Sequence, residues 1–418
     1  MKQHVAIGLV FICSGGVLCA QLPDKVTITQ AVQEAVNHNL NLLAERYNLS
    51  VADARIITAK LRPNPVMSAA VDYLDFQNSF TPQSGAGPTE YNIRTDFLME
   101  RGGKRERRIE VAQTAREVAQ LQLLNTTRSL VLDVQNAFVD AQQAADAVTL
   151  ARDNLKAFQG IVEVNNNRVR AGDLAKVELV RTQVAALQFQ NAVRQAEARQ
   201  RVASNKLQAL MGRIVPSPTF SVEGELRRDT DPILLEAVTA QALDLRPDLQ
   251  AIRKDQARSQ AEIRSQLAQG KVDYTVGTEF HRQFYNGHGN SLGVFFQAPL
   301  PIFNRNQGEI ERARQEQQQI QTRVKAIEAE IQNEVRNAWV QYTTSRELVT
   351  TIEHDLLDQA RDVRDTMEYS YRRGEASLVE FLDAQRAFND ARQSYNDARA
   401  DFARSLYTID SISGKAVQ

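Results

Sequence analysis

The sequence predicts a mainly α-helical chain with a small β part. Long helical hairpins occur in duplicate, and four amphipathic strands per chain have to be pooled with those of other copies. Three observations predict this. The stretch VRAGDLAKVELVRTQ (residues 169–183) returns as YRRGEASLVEFLDAQ (371–385), with Arg170/Arg372, Gly172/Gly374, Val177/Val379, Glu178/Glu380 and Gln183/Gln385 in register. Apolar residues recur at spacings of three and four over unusually long runs. Four segments of about ten residues instead alternate apolar and polar side chains.

The repeat extends well beyond the two quoted stretches. Ala137-Phe138 pairs with Ala338-Trp339, Ile109/Ala112 with Ile310/Ala313, and AAVDYLDF with GKVDYTVG. Residues 21–214 and 231–418 are therefore read as two copies of one unit, each a helix, two strands and a long hairpin. Residues 215–230 join them; Pro216, Pro218 and Gly224 interrupt every periodicity there.

Residues 1–20 read as an export signal: Lys2, an apolar run from Val5 to Leu18, then LCAQ. Cleavage after Ala20 is expected, with lipidation of Cys19 as the alternative. Both cysteines, Cys13 and Cys19, lie in this segment, so no disulfide or thiol chemistry is expected of the mature chain.

From Lys104 to Arg170 the pattern is helical almost without interruption, with Val131, Val134, Ala137, Phe138, Ala141, Ala145 and Val148 on one side. About 65 residues at ~1.5 Å each make a rod on the order of 100 Å long. A second helix is expected from Asp173 to Leu210. In the other copy Val324, Ile327, Ile331, Val335, Ala338 and Tyr342 repeat the stripe. Gly172 and Gly374 stand where a left-handed closing residue is needed, so each quoted stretch is the turn of a hairpin. A rod with so narrow an apolar stripe must pack against neighbours in the manner of a coiled coil.

The strands come next. Tyr91, Ile93, Thr95, Phe97 and Met99 alternate with Asn92, Arg94, Asp96, Leu98 and Glu100. Val272, Tyr274, Val276, Thr278 and Phe280 alternate with Asp273, Thr275, Gly277, Glu279 and His281. PVMSAAVDYLDF and SLGVFFQAPLPIF are weaker versions. Four strands cannot close a barrel, and an open edge in lipid leaves backbone groups unpaired at several kcal/mol each. Two copies would supply eight strands, with the interior filled by side chains. Three would supply twelve and leave a lumen for Arg94, Asp96, Asp273 and Glu279. A homotrimer with a 12-stranded β-barrel is the expectation.

Composition excludes other classes. A net charge of −1 offers no field for nucleic acid. A mean hydropathy of −0.40 excludes a helical membrane protein. RGGKR at Arg101 lacks the first glycine and the Ser/Thr of a phosphate loop. His281 and His288 match no ligand spacing, His38 and His354 stand alone on helices, and no serine has a nucleophile elbow. No cofactor, no metal site and no enzymatic activity are expected.

With these elements assembled, the chain resembles the outer membrane factor (TolC-like) efflux family along essentially its whole mature length. RGGKRERRIEVA and PLPIFNRNQGEIERA are similar to the junctions of its heavy-metal, CzcC-like branch. The resemblance implies a homotrimeric duct in outer membrane lipid, with its helical part in the periplasm. It also implies two partners: a periplasmic adaptor and an inner-membrane resistance-nodulation-division pump. Heavy-metal cations are the implied cargo. A periplasmic scaffold or adaptor that does not span the membrane is the alternative.

By position, the resemblance makes Glu380 and Asp383 ring carboxylates of a periplasmic gate, with Tyr371 reaching across to Glu178. Rings of like carboxylates raise one another's pKa and attract cations. Ala376 stands where the family has a gate arginine. Ser377-Leu378-Val379-Glu380 is also a capping box, which gives Glu380 a purely local role as the alternative. The tip offered to the adaptor comprises Arg170, Gly172, Leu174, Val177, Gly374, Leu378 and Val379; the alternative is that these residues pack the hairpins together.

Overall fold

The computed structural model describes residues 24–74, 89–284 and 288–415. Residues 1–20, the expected export signal with Cys19, most of the first inter-strand loop and the side chain of His288 lie outside the described residues. The two copies unfold in parallel order. In the first, α1 (Ile28–His38) and α2 (Leu40–Lys60) precede β2 (Val66–Asp72) and β3 (Glu90–Met99). There follow α3 (Lys104–Ala171) and α4 (Lys176–Leu210). In the second, α5 (Leu235–Leu245) and α6 (Pro247–Gln269) precede β5 (Tyr274–Phe284) and β6 (His288–Gln297). The second hairpin is α7 (Gln307–Thr351), a π-helical turn (Ile352–Leu356), α8 (Leu357–Arg373) and α9 (Leu378–Ile412).

Local chemistry sets the boundaries. Thr27 and Gln30 close a capping box at the start of α1. Asn39 separates α1 from α2, accepting from Leu42 N at 3.0 Å and donating to Leu210 O at 2.9 Å. Arg246 and Pro247 mark the same break in the second copy, with proline in the first turn, where its missing N–H is harmless. The two long hairpins start alike, on the left-handed residues Gly103 (φ 69°) and Asn306 (φ 64°). They turn alike on Gly172 (φ 87°) and Gly374 (φ 81°). Leu378 begins α9 as a capping box directs, whereas α4 starts at Lys176 rather than Asp173, behind Ala175, which offers no side-chain cap.

At 68 residues α3 is about 100 Å long. Its partner rod, residues 307–373, is interrupted by the π turn, which the sequence pattern does not announce. Each copy buries its own apolar cluster where the short helices cross the rods. Ala31, Leu42, Val134, Phe138, Leu207 and Met211 fill the first. Leu249, Ile331, Val335, Tyr342, Phe402 and Leu406 fill the second. Val139, Leu226, Ala400, Ala403 and Tyr407 join them.

The segment between the copies is held closely. β1 (Lys25–Val26) pairs in parallel with β4 (Ser221–Val222), a short ladder absent from the sequence reading. Arg227 binds Asp229 and Asp410, and Arg228 binds Glu353 in the π turn at 2.8 Å.

Candidate functional site: the two-faced sheet and the hairpin tip

The four long strands form one antiparallel sheet in the order β2-β3-β5-β6, so the two copies meet at its centre through β3 and β5. Within the chain β2 and β6 are edges. Register settles the faces. Ala69, Ile93, Phe280 and Leu292 stand in one row, and Phe97, Val276 and Phe296 in another. Their side chains share one face, and Ile93, Phe97, Leu292, Val294 and Phe296 are exposed on it. The opposite face carries Ser68, Arg94, Glu279 and Gly293 in one row, then Val66, Asp96, Gly277 and Phe295 in the next. This is the alternation expected from the sequence.

Arg94 and Asp96 form an ion pair at 2.8 Å on the polar face, and the Arg94 guanidinium lies 3.4 Å from the centre of the Phe295 ring. Phe295 reaches it across Gly277, where a Cβ would come within 2.0 Å of the ring. Glycine in that row is the floor on which an aromatic from the edge strand rests. Asp273 lies just outside the strand and accepts from Lys104 at 2.6 Å, so this carboxylate ties the sheet to α3. His281 sits 3.2 Å from Glu279. Among the described residues no three His, Cys, Asp or Glu side chains are grouped to hold a metal, and no helix is long and apolar enough to cross a membrane.

At the far end of the rods the two hairpins pack on a ladder of rings. Phe189 and Phe158 of the first hairpin lie 4.8 Å apart, Phe158 and Phe381 6.3 Å, and Phe381 and Tyr371 5.6 Å. Each aromatic pair adds about 0.5–1.5 kcal/mol beyond area burial. Ile161, Ala185 and Leu378 are buried with them, and Ala376 packs alongside. Leu378 is therefore a packing residue and is withdrawn from the docking surface, because its side chain fills the seam between hairpins.

Tyr371 is buried, and its hydroxyl accepts from the Asn165 amide at 2.7 Å. The second N–H of that amide goes to Thr182 Oγ1 at 2.8 Å, and Thr182 donates to the backbone carbonyl of Glu178 at 2.7 Å. The expected reach from Tyr371 to the Glu178 side chain is thus replaced by a relay that ends on the Glu178 backbone. The Glu178 carboxylate instead turns outward to Arg181 at 2.8 Å. Asn165 is fully buried, and among the described residues its Oδ1 accepts no hydrogen bond. Asn165 and Thr182 escaped the sequence reading: a polar residue on an apolar helix stripe was their only signal.

Glu380 is exposed and occupied locally. Its carboxylate accepts from Ser377 N at 2.7 Å and Ser377 Oγ at 2.8 Å, and Ser377 Oγ in turn accepts from Glu380 N at 3.3 Å. The anticipated rise in its pKa is reversed within the chain: hydrogen bonds from the Ser377 backbone and hydroxyl favour the carboxylate and lower it. Asp383 lies on the open side of α9, with Arg386 at 3.5 Å. Arg170, Gly172, Val177, Gly374 and Val379 are exposed at the tip, and Leu174 is half-buried. Space around Gly172 is open, whereas the Arg168 guanidinium lies over Gly374, joining the two turns.

A family model described as outer membrane efflux protein matches residues 31–213 and 238–415. The cobalt-zinc-cadmium resistance protein CzcC of Cupriavidus metallidurans is 26% identical over 391 residues, covering 93% of this chain and 90% of that protein. Nodulation protein T of Rhizobium leguminosarum bv. trifolii is 20% identical over 92% of this chain and 85% of that protein. Among solved structures, the Campylobacter jejuni CmeC outer membrane channel superposes with a TM-score of 0.77 at 12% identity, covering 93% of this chain and 86% of that one. CusC superposes with a TM-score of 0.75 at 16% identity, covering 93% and 92%. At these identities the structures speak to the fold.

Proposed function

The chain belongs to the outer membrane efflux protein family, and from that premise we propose that it is the passive exit duct of a tripartite resistance-nodulation-division pump, carrying heavy-metal cations. The observation that carries the duct is the two-faced sheet, open at both edges and continuous with rods of about 100 Å. Three copies joined edge to edge would close twelve strands, bury every backbone group in the membrane and turn Arg94, Asp96 and Glu279 toward a lumen. The rods would line the periplasmic passage, and the driving energy would come from the inner-membrane pump.

Arg170, Gly172, Leu174, Val177, Gly374 and Val379 form the surface offered to a periplasmic adaptor. Tyr371 and Glu178 belong to the latch that holds the hairpins together, and Asp383 with Glu380 would ring the constriction. A ring of like carboxylates concentrates cations by its field. The likeness to a cobalt-zinc-cadmium resistance protein supports metal cargo.

Two measurements test this. Proline at Ile93 or Val276 removes a ladder donor from a central strand, and outer-membrane insertion is expected to fail; normal insertion would remove the barrel. Cells lacking the chain, but keeping its adaptor and pump, are expected to lose tolerance to cobalt, zinc or cadmium. Unchanged tolerance to all three, with lost tolerance to organic compounds, would overturn the metal assignment and leave the duct in place.

A further inference from the structure

We propose that the outer face of α2 receives α7 of the next copy of the chain, with Tyr47 against Gln318 and Ile57 against Glu311. The seam between copies then repeats, in the helical region, the junction between the two halves of one chain. The inference rests on the trimeric outer-membrane reading. Near the sheet the helices keep the order of the strands they join. The strands run β2-β3-β5-β6; α3 packs between α2 and α6, and α7 lies beyond α6. The edge helices are therefore α2 and α7, continuous with the edge strands β2 and β6.

The composition of α2 calls for two neighbours. Leu42, Ala52 and Ala59 are buried along one side, where α3 packs. On the opposite side Leu40, Tyr47, Val51 and Leu61 stand at coiled-coil spacing, with Ile57 beside them, and each is at least 50% exposed. A helix that is apolar on opposed faces belongs between partners. Its counterpart in the second half, α6, has both: α3 on one side and α7 on the other.

The repeat supplies the register. Asn39 corresponds to Arg246 at the helix break, and Leu42 to Leu249, both leucines being buried. Tyr47 and Ile57 then stand where α6 has Lys254 and Arg264. Those two cations pair with Glu117 and Glu110 of α3, at 2.7 and 2.5 Å. Since Ile109 and Ala112 match Ile310 and Ala313, the counterparts of Glu117 and Glu110 on α7 are Gln318 and Glu311. Contacts inside each half repeat in the same frame. Arg105 donates to Lys60 O at the end of α2, and its counterpart Asn306 donates to Gln266 O at the end of α6, both at 2.7 Å.

Polarity and charge agree with this placement. α2 enters the sheet and α7 leaves it, so the two would run antiparallel, as α6 and α3 do within the chain. Toward the sheet Arg55, Lys60 and Arg62 are exposed, and among the described residues they have no ion pair. At the same height α7 exposes Glu309 and Glu311, whose ion pairs are with Arg312 and Arg314 of their own helix. Where the junction inside the chain is ionic, the seam between copies is led by a tyrosine and an isoleucine.

The test uses the full chain, expressed with its own signal and extracted from membranes in detergent. Cys13 and Cys19 fall in the expected export signal, so introduced cysteines can be joined selectively by a short bismaleimide. Within one chain α3 and α6 separate α2 from α7, so a link between these helices joins two copies. Tyr47→Cys with Gln318→Cys, and Ile57→Cys with Glu311→Cys, should each shift the denatured band from one chain to two and three. Tyr47→Cys with Glu311→Cys, mismatched by about 15 Å along α2, should stay at one chain. Ile57→Glu sets a carboxylate against Glu311 and should lower the temperature at which the particle dissociates. Ile57→Arg restores the residue that α6 has and should keep that temperature. Three-chain particles in which neither matched pair links, or in which Ile57→Glu and Ile57→Arg dissociate alike, would overturn the inference and leave the barrel in place. Recovery of the wild type as a soluble periplasmic monomer would overturn the outer-membrane reading itself.

Discussion

The Asn165 amide donates to the Tyr371 hydroxyl at 2.7 Å, across 206 residues of sequence and from one hairpin to the other. That bond and the ring ladder beside it tie the two hairpins together near their tips. Tyr371→Phe removes the acceptor and leaves one buried N–H unpaired, at about 1–3 kcal/mol. Basal single-channel conductance in planar bilayers should rise, and N165A should raise it as well. Wild-type conductance in both would remove the latch.

Glu380 gives a pH prediction with a definite sign. Its folded pKa lies below the ordinary glutamate value of 4.5, through hydrogen bonds from Ser377. The cap therefore contributes in full above the unfolded value and is lost as pH falls through the lower folded value. Protection of the first amides of α9, taken against the intrinsic exchange rate at each pH, should fall as the pH is lowered below about 4.5. Glu380→Ala should show the lower protection already at neutral pH, and protection that does not change with pH in the wild type would contradict the cap.

Asp383 is not a cap: its carboxylate faces Arg386 at 3.5 Å, which separates it from Glu380. Divalent-cation block of the open channel should weaken in Asp383→Ala and persist, at least in part, in Glu380→Gln. Block that survives in the Asp383→Ala, Glu380→Ala double variant would show that the constriction lies elsewhere.

Gly172 and Gly374 share a left-handed backbone but differ in surroundings. A Cβ at Gly172 meets open space, so Gly172→Ala carries only the backbone strain, about 1–2 kcal/mol. At Gly374 the Arg168 guanidinium must also give way. A bulky residue at Gly172 should abolish export while the oligomer persists, as read by export assay and particle mass. Loss of the oligomer would make the turn a packing element.

Gly277→Val would lift the Phe295 ring off its glycine floor and crowd the Arg94–Asp96 pair on the same face. Overpacking of this kind costs about 1–3 kcal/mol. The barrel should lose heat resistance in detergent, and Phe295→Ala should restore part of it in the Gly277→Val background.

The sequence made the strands legible because alternation is a local signal, and Ile93 and Phe280 lie on the face their neighbours imply. The turns at Gly172 and Gly374 were legible for the same reason, since a closing glycine acts within its own helix. Tyr371 found Asn165 rather than the Glu178 side chain because the partner is set by how two rods of about 100 Å lie against each other. Leu378 looked like tip surface and proved to be seam, a distinction made by Phe158 and Phe381 from distant parts of the chain. The π turn at 352–356 likewise has no local sequence mark; it lies where Arg228 of the connecting segment grips Glu353.

The two edges of the sheet are unlike: β2 comes from the first copy of the repeat and β6 from the second. A ring built by joining one kind of edge to the other is heterologous and stands only when every seam is made. A subunit spoiled at β2 alone would still be recruited through its sound β6 and would leave the ring open. Co-expressed in equal amount with the wild type, it would leave about one ring in eight free of damaged subunits in a random three-copy assembly. Lesions on one edge strand should therefore be genetically dominant, whereas lesions in the expected export signal, residues 1–20, that keep the chain out of the membrane should be recessive.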